Sequence, residues 1–225
     1  MFEINYPLII VNFKAYREAE GISALNIAKA CKEVMEESGI CIVACPPMVE
    51  LSRVASSIKV PIMAQHVDPK APGAATGWVT AEMVKSAGAY GTLINHSEHR
   101  LTSDVVAKII PACTAIGLIT CVCSDTPIAA QNLASLRPSM VAIEPPELIG
   151  GDISVTEARP EVVLDSVEAV GSIDKTIPVL CGAGVKTGKD VKKALDLGAK
   201  GVLLSSGVVK AKDPKKALRE LVKLI

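Results

Sequence analysis

The chain has 225 residues, 49% of them apolar, enough for a sizeable core in one large α/β domain or two small ones. Lysine plus arginine balance aspartate plus glutamate at 24 each, so no global basic field exists to recruit nucleic acid or an anionic membrane, and an anionic ligand needs a local site. The longest apolar run near the start, residues 7–11, is too short to span a bilayer and is preceded by an acid with no signal-cleavage pattern. Seven cysteines without CxxC spacing read as small buried hydrophobes, and the expected setting is the cytoplasm.

In chain order, the first apolar run of parallel-strand type is 8–13 (LIIVNF), ending on Asn12-Phe13-Lys14. Leu25, Ala28, Cys31 and Met35 then share one helix face, and runs 41–44 (CIVA) and 60–64 (VPIMA) follow. Run 92–95 (TLIN) leads into His96-Ser97-Glu98, where the next helix should begin; Val105, Val106, Ile109, Ile110 and Cys113 give that helix its apolar face. Run 118–123 (LITCVC) precedes 141–143 (VAI), which stops on Glu144 with Pro145-Pro146 behind it and Gly150-Gly151 further on. A helix opens at Pro160, before Glu161. Run 178–181 (PVLC) runs into Gly182-Ala183-Gly184, and Thr187 with Asp190 marks the next helix start. Run 201–204 (GVLL) meets Ser205-Ser206-Gly207, with Val208-Val209 able to form a short extra helix. Pro214 after Asp213 opens a final helix carrying Leu218, Leu221, Val222 and Ile225.

Eight such repeats of roughly 25 to 30 residues predict an α/β fold, a single-domain (β/α)8 TIM barrel over 1–225. An open doubly wound sheet would favour a GxGxxG turn after its first strand, which is absent. In the barrel the active site gathers at the C-terminal strand ends. The Gly182-Ala183-Gly184 and Ser205-Ser206 turns together read as a phosphate cradle of backbone N–H groups. Glu144, at the end of an apolar strand, is expected to be a desolvated general base. A helix start beside His96 would keep the imidazole neutral and able to donate to a carbonyl. Lys14 supplies a positive charge for an oxyanion, and Asn12 can orient it or bind a substrate oxygen. Proton abstraction next to a carbonyl in a small phosphorylated substrate is the reaction class this set specifies.

The chain resembles triosephosphate isomerases along its whole length. NFK at 12–14 is similar to the family's N-x-K, NHSEHR at 95–100 to its GHSERR, EPPELIGG at 144–151 to its EPxxxIGxG lid, and AATG at 74–77 to the loop that reaches a neighbouring subunit. The resemblance implies interconversion of dihydroxyacetone phosphate and D-glyceraldehyde 3-phosphate without cofactor or metal. Glu144 would shuttle the proton, His96 would polarise the oxygens, and Lys14, supported by Asn12 and Glu98, would neutralise charge. Ile149, Gly150, Gly182, Ala183, Gly184, Ser205 and Ser206 would surround the phosphate, under a lid with a stiff hinge at Pro145-Pro146. Departures are Glu147 where many members have tryptophan, Cys181-Gly182-Ala183-Gly184 in place of YGGS, and Ser205-Ser206 in place of two glycines. The short chain is similar to the compact archaeal branch, which implies a homotetramer (alternatively a homodimer) with Thr76 touching the neighbour's Asn12 and Lys14.

Three other readings compete. A Schiff-base aldolase on the same barrel would need a lysine at the centre of the mouth, where Glu144 stands instead. A metal hydrolase would draw on His66, Asp68, His96, Glu98 and His99, but without HxH or HxxxH spacing. A non-catalytic phosphometabolite sensor would be expected to have lost Glu144 or Lys14.

Overall fold

The computed structural model describes residues 4–145, 156 and 159–225. Eight parallel strands form one sheet: β1 Leu8–Asn12, β2 Cys41–Cys45, β3 Met63–Ala64, β4 Gly91–Ile94, β5 Ile119–Ser124, β6 Met140–Ile143, β7 Val179–Gly182 and β8 Gly201–Leu204. Their order is β2-β1-β8-β7-β6-β5-β4-β3, and a parallel bridge between Ala44 and Ile62 closes β2 onto β3. The result is a nearly closed TIM barrel.

Each expected apolar run becomes a strand, but the third is shorter than its five apolar residues suggest. Pro61 has no N–H to give a neighbouring strand, and only its carbonyl takes part, accepting the Ala44 N–H at 3.0 Å.

Side chains alternate between two layers, as the two-residue period of a strand demands. Leu8, Ile10, Val43, Met63, Leu93, Met140, Ala142, Leu180 and Leu203 fill the barrel interior together with Cys41, Cys45, Cys121 and Cys123. Ile9, Val11, Ile42, Ala44, Ile94, Val122 and Val202 point outward beneath the helices. Around the sheet lie α1 Ile22–Ser38, α2 Leu51–Ser57, α3 Ala81–Ser86, α4 Ser103–Ala115, α5 Pro127–Ala134, α6 Pro160–Ile173, α7 Gly188–Asp196, α8 Ser206–Val209 and α9 Pro214–Val222.

Their starts follow from local chemistry. Thr187 and Asp190 form a reciprocal capping box on α7, and the Asp213 side chain accepts the Lys216 N–H at 3.0 Å at the head of α9. Pro160 and Pro214 occupy first-turn positions, where a missing N–H costs nothing. α1 and α9 are joined by ions: Lys215 pairs with Glu33 and, at 3.0 Å, with Glu37, while Arg219 grips Glu37 through two nitrogens at 2.8 and 2.9 Å. No helix among the described residues is long and apolar enough to cross a membrane.

Candidate active site

The interior alternation decides what reaches the barrel mouth. On β1, Leu8 and Ile10 face inward, and two residues on so does Asn12; on β6, Met140 and Ala142 face inward, and the next inward position is Glu144. The glutamate is therefore an interior residue one step above the apolar core, 5% exposed, with its N–H tied to the Ser124 carbonyl at 2.7 Å. Its Oε2 is buried without a hydrogen-bond partner among the described residues. Burial, and after it the charge of Glu144, pushes up the thiols of Cys121 and Cys123 on the neighbouring strand.

Asn12 and Lys14 are held as a unit. Lys14 takes a left-handed backbone turn (φ 52°), and Asn12 Oδ1 accepts its N–H at 2.9 Å. The Gln65 side-chain amide donates to the same oxygen at 3.2 Å and to the Lys14 carbonyl at 3.0 Å. With Oδ1 occupied twice, the Nδ2 donor of Asn12 is the group left for a ligand oxygen. The Lys14 ammonium, on a side chain 11% exposed, reaches Glu98 at 2.6 Å.

His96 is 7% exposed, and its Nε2 stands 3.5 Å from Glu144 Oε1. The Glu98 N–H donates to Nδ1 at 3.2 Å, so Nδ1 is the acceptor and Nε2 carries the N–H that faces the mouth. A helix start beside this histidine was the expectation, and the structure differs: α4 begins only at Ser103, and residues 96–99 form a turn closed by the His99 N–H on the His96 carbonyl at 2.8 Å. The turn supplies the backbone donor that the expected helix N-terminus would have supplied.

Opposite stand the two small-residue turns. Ala183, Gly184, Ser205 and Ser206 line one solvent-open cleft with Asn12, Lys14, His96 and Glu144. Ser205 opens the short α8; its carbonyl accepts the N–H groups of Val208 and Val209 at 3.0 Å, those of Ser206 and Gly207 have no acceptor within the helix, and the Ser205 hydroxyl is buried with no partner among the described residues. Ala183 has φ 69°, a conformation glycine takes more easily. Gly182 does not line the cleft; it lies under the glutamate, where a Cβ would come within 2.5 Å of Glu144 Cγ. His66 and His99 stack face to face, centroids 4.1 Å apart, and His66 Nε2 meets Asp68 at 2.9 Å, so the two rings pack against each other.

Comparison with known proteins gives a family model, triosephosphate isomerase, that matches residues 7–225. The chain belongs to the triosephosphate isomerase family. Among curated members of that family, it is 49% identical to the triosephosphate isomerase of Methanobrevibacter smithii over 97% of this chain and 99% of the relative. It is also 49% identical to that of Methanocaldococcus jannaschii, over 97% and 100%. The crystal structure of triosephosphate isomerase from Bartonella henselae shares the fold at TM-score 0.75 and 20% identity, covering 96% of this chain and 98% of that one.

Within the triosephosphate isomerase pattern, the structure brings Asn12, Lys14, His96, Glu98, Glu144, Ala183, Gly184, Ser205 and Ser206 to one mouth. Thr76 sits in an exposed loop and does not line the cleft of its own chain. Of the expected lid, Pro146, Glu147, Ile149 and Gly150 lie outside the described residues. Sequence reasoning missed Gln65, which orients Asn12 and braces the Lys14 turn. Its one signal was an amide directly after the third apolar run. It also missed the pairing of Arg100 with Asp125 at 3.0 Å, which ties the His96 turn to the end of β5.

Proposed function

We propose that this mouth interconverts dihydroxyacetone phosphate and D-glyceraldehyde 3-phosphate by proton transfer through an enediolate. The observation that carries the assignment of roles is the 3.5 Å approach of a histidine N–H to a buried carboxylate, within a cleft that also holds Lys14 and a small-residue cradle. Glu144 removes a proton from one substrate carbon and returns it to the adjacent carbon. His96 Nε2–H hydrogen-bonds the carbonyl oxygen as negative charge develops there, and a proton passes between the two substrate oxygens. Lys14 opposes that charge, Asn12 Nδ2 binds substrate oxygen, and Glu98 fixes the ammonium by its contact at 2.6 Å. The phosphate rests against backbone N–H groups of Gly184, Ser205 and Ser206, with Gly182 and Ala183 shaping the turn and Ile149 and Gly150 approaching from the lid.

The test is a coupled assay of Glu144→Asp and His96→Gln. Turnover is expected to fall by about two to four orders of magnitude with KM changed far less. A variant with parental kcat removes its residue from the mechanism.

The same reading includes self-association as a homotetramer, with a homodimer as the alternative, in which Thr76 of one copy meets the Asn12 and Lys14 region of another. Apolar side chains exposed on and beside that loop support it, Met83 (59%) and Trp78 (44%), which line one groove with Pro72, Gly73 and Ala75. A monomer in sedimentation with full activity overturns this part. Seven buried thiols suit a reducing compartment, in keeping with a cytoplasmic setting.

A further inference from the structure

Asn95 stands where the family's GHSERR pattern has glycine. Its backbone explains why both residues fit: φ is 61°, a region that glycine enters freely and asparagine tolerates. Asparagine adds a buried side chain with two partners. Its Nδ2 donates to the Cys123 carbonyl at 2.9 Å, and its Oδ1 accepts the Leu101 N–H at 2.8 Å. The carbonyl after Cys123, that of Ser124, accepts the Glu144 N–H. Two consecutive carbonyls of β5 therefore hold the segment that leads into His96 and the segment that carries Glu144. The bond to Leu101 fastens the far end of the turn whose Glu98 N–H orients the imidazole. Besides the asparagine, this turn is tied to the end of β5 by Arg100 and Asp125, whose side chains are 40% and 33% exposed, a weak tether in water.

We infer that Asn95 is a positioning residue, which sets the separation of His96 Nε2 from Glu144 Oε1 by clamping the His96 turn to β5. The inference rests on the acid and base roles proposed for those two residues. Proton transfer depends on placement, and a shift of about 1 Å in a reacting group can cost a hundredfold in rate. Asn95→Gly keeps the left-handed φ and deletes both bonds. A displacement of a few tenths of an ångström, short of that 1 Å, corresponds to a fall in kcat of about tenfold, with KM within about twofold because the phosphate turns lie on other strands.

Asn95→Asp keeps the acceptor for Leu101 but loses the donor to Cys123, so a similar fall there isolates the clamp to β5 and carries the test if the glycine variant does not fold. The chain has three histidines, so 15N-histidine spectra resolve them: His96 ring signals should move in both variants. Parental kcat in both variants overturns the inference, as does a loss that only tracks the unfolded fraction with His96 signals unmoved. Should Glu144→Asp and His96→Gln retain turnover, the acid and base roles fail. Should they be inactive while both Asn95 variants keep full turnover, only the clamp fails.

Discussion

Gly182→Ala tests how the carboxylate proposed as the base, Glu144, is seated. An alanine Cβ would lie 2.5 Å from Glu144 Cγ and 3.2 Å from both Cδ and Oε1. Carbon atoms settle at about 3.5 to 4.0 Å, so the glutamate, or β7 beneath it, has to give by about 1 Å. Gly182 is not in the left-handed region, so the substitution adds crowding without backbone strain. Overpacking of this kind costs about 1 to 3 kcal/mol of stability. Displacing the base by about 1 Å costs up to about a hundredfold in kcat, equivalent to about 2.7 kcal/mol on the barrier. The cradle residues Ala183 and Gly184 keep their backbone donors, so KM should change much less. A coupled isomerase assay in both directions, with thermal melts in parallel, separates the two effects. A folded Gly182→Ala enzyme with kcat within about twofold of the parent would show that Glu144 does not need this space, and the seating argued from the structure would be wrong.

Ala183→Gly removes the strain of an alanine at φ 69° but adds unfolded-state entropy; the two are of similar size, so stability should change by less than about 1 kcal/mol in a denaturant titration. Glu98→Gln takes the charge from a half-exposed partner of Lys14, and kcat should fall by no more than about fivefold, because the Glu98 side of the pair is open to solvent and the amide oxygen can still accept from the ammonium; a hundredfold loss would give Glu98 a direct part in the chemistry. Arg219 first, and then Lys215, hold Glu37 down to about 2 from its ordinary 4.5. A depressed carboxyl stabilises the fold above its unfolded value and ceases to as pH falls through the folded one. The melting-temperature gap between the parent and Glu37→Gln should therefore be full at pH 7 and close between pH 4.5 and 2; a gap that stays constant over that window would refute the pairing.

The strands were legible because buried parallel strands are continuous apolar runs, and the two-residue alternation within them already aims Asn12 and Glu144 into the mouth. The third strand was overestimated, since hydrophobicity does not register that Pro61 lacks a donor. The missed contacts join residues that only closure of the barrel makes neighbours. Gln65 reaches Asn12 across 53 positions, and Asn95 reaches Cys123 across 28. No local pattern encodes such a bond, because each partner alone reads as an ordinary polar residue beside a strand. The turn after His96 misled for a different reason: Ser97 and Glu98 suit a helix start, yet they make only a turn and Thr102 takes the N-cap position.

The sulfur atoms of the core have a consequence for handling and observing this molecule. All seven thiols are buried and free, and burial pushes those of Cys31 and Cys181 up to about 12. Almost no thiolate is on offer to a modifying reagent while the barrel is shut. Labelling must wait for an opening event, and the thiols are sorted by depth: Cys121 and Cys123 inside the barrel, Cys31 and Cys113 between sheet and helices. Peeling of the helical shell and rupture of the barrel should thus leave different chemical footprints along the same chain.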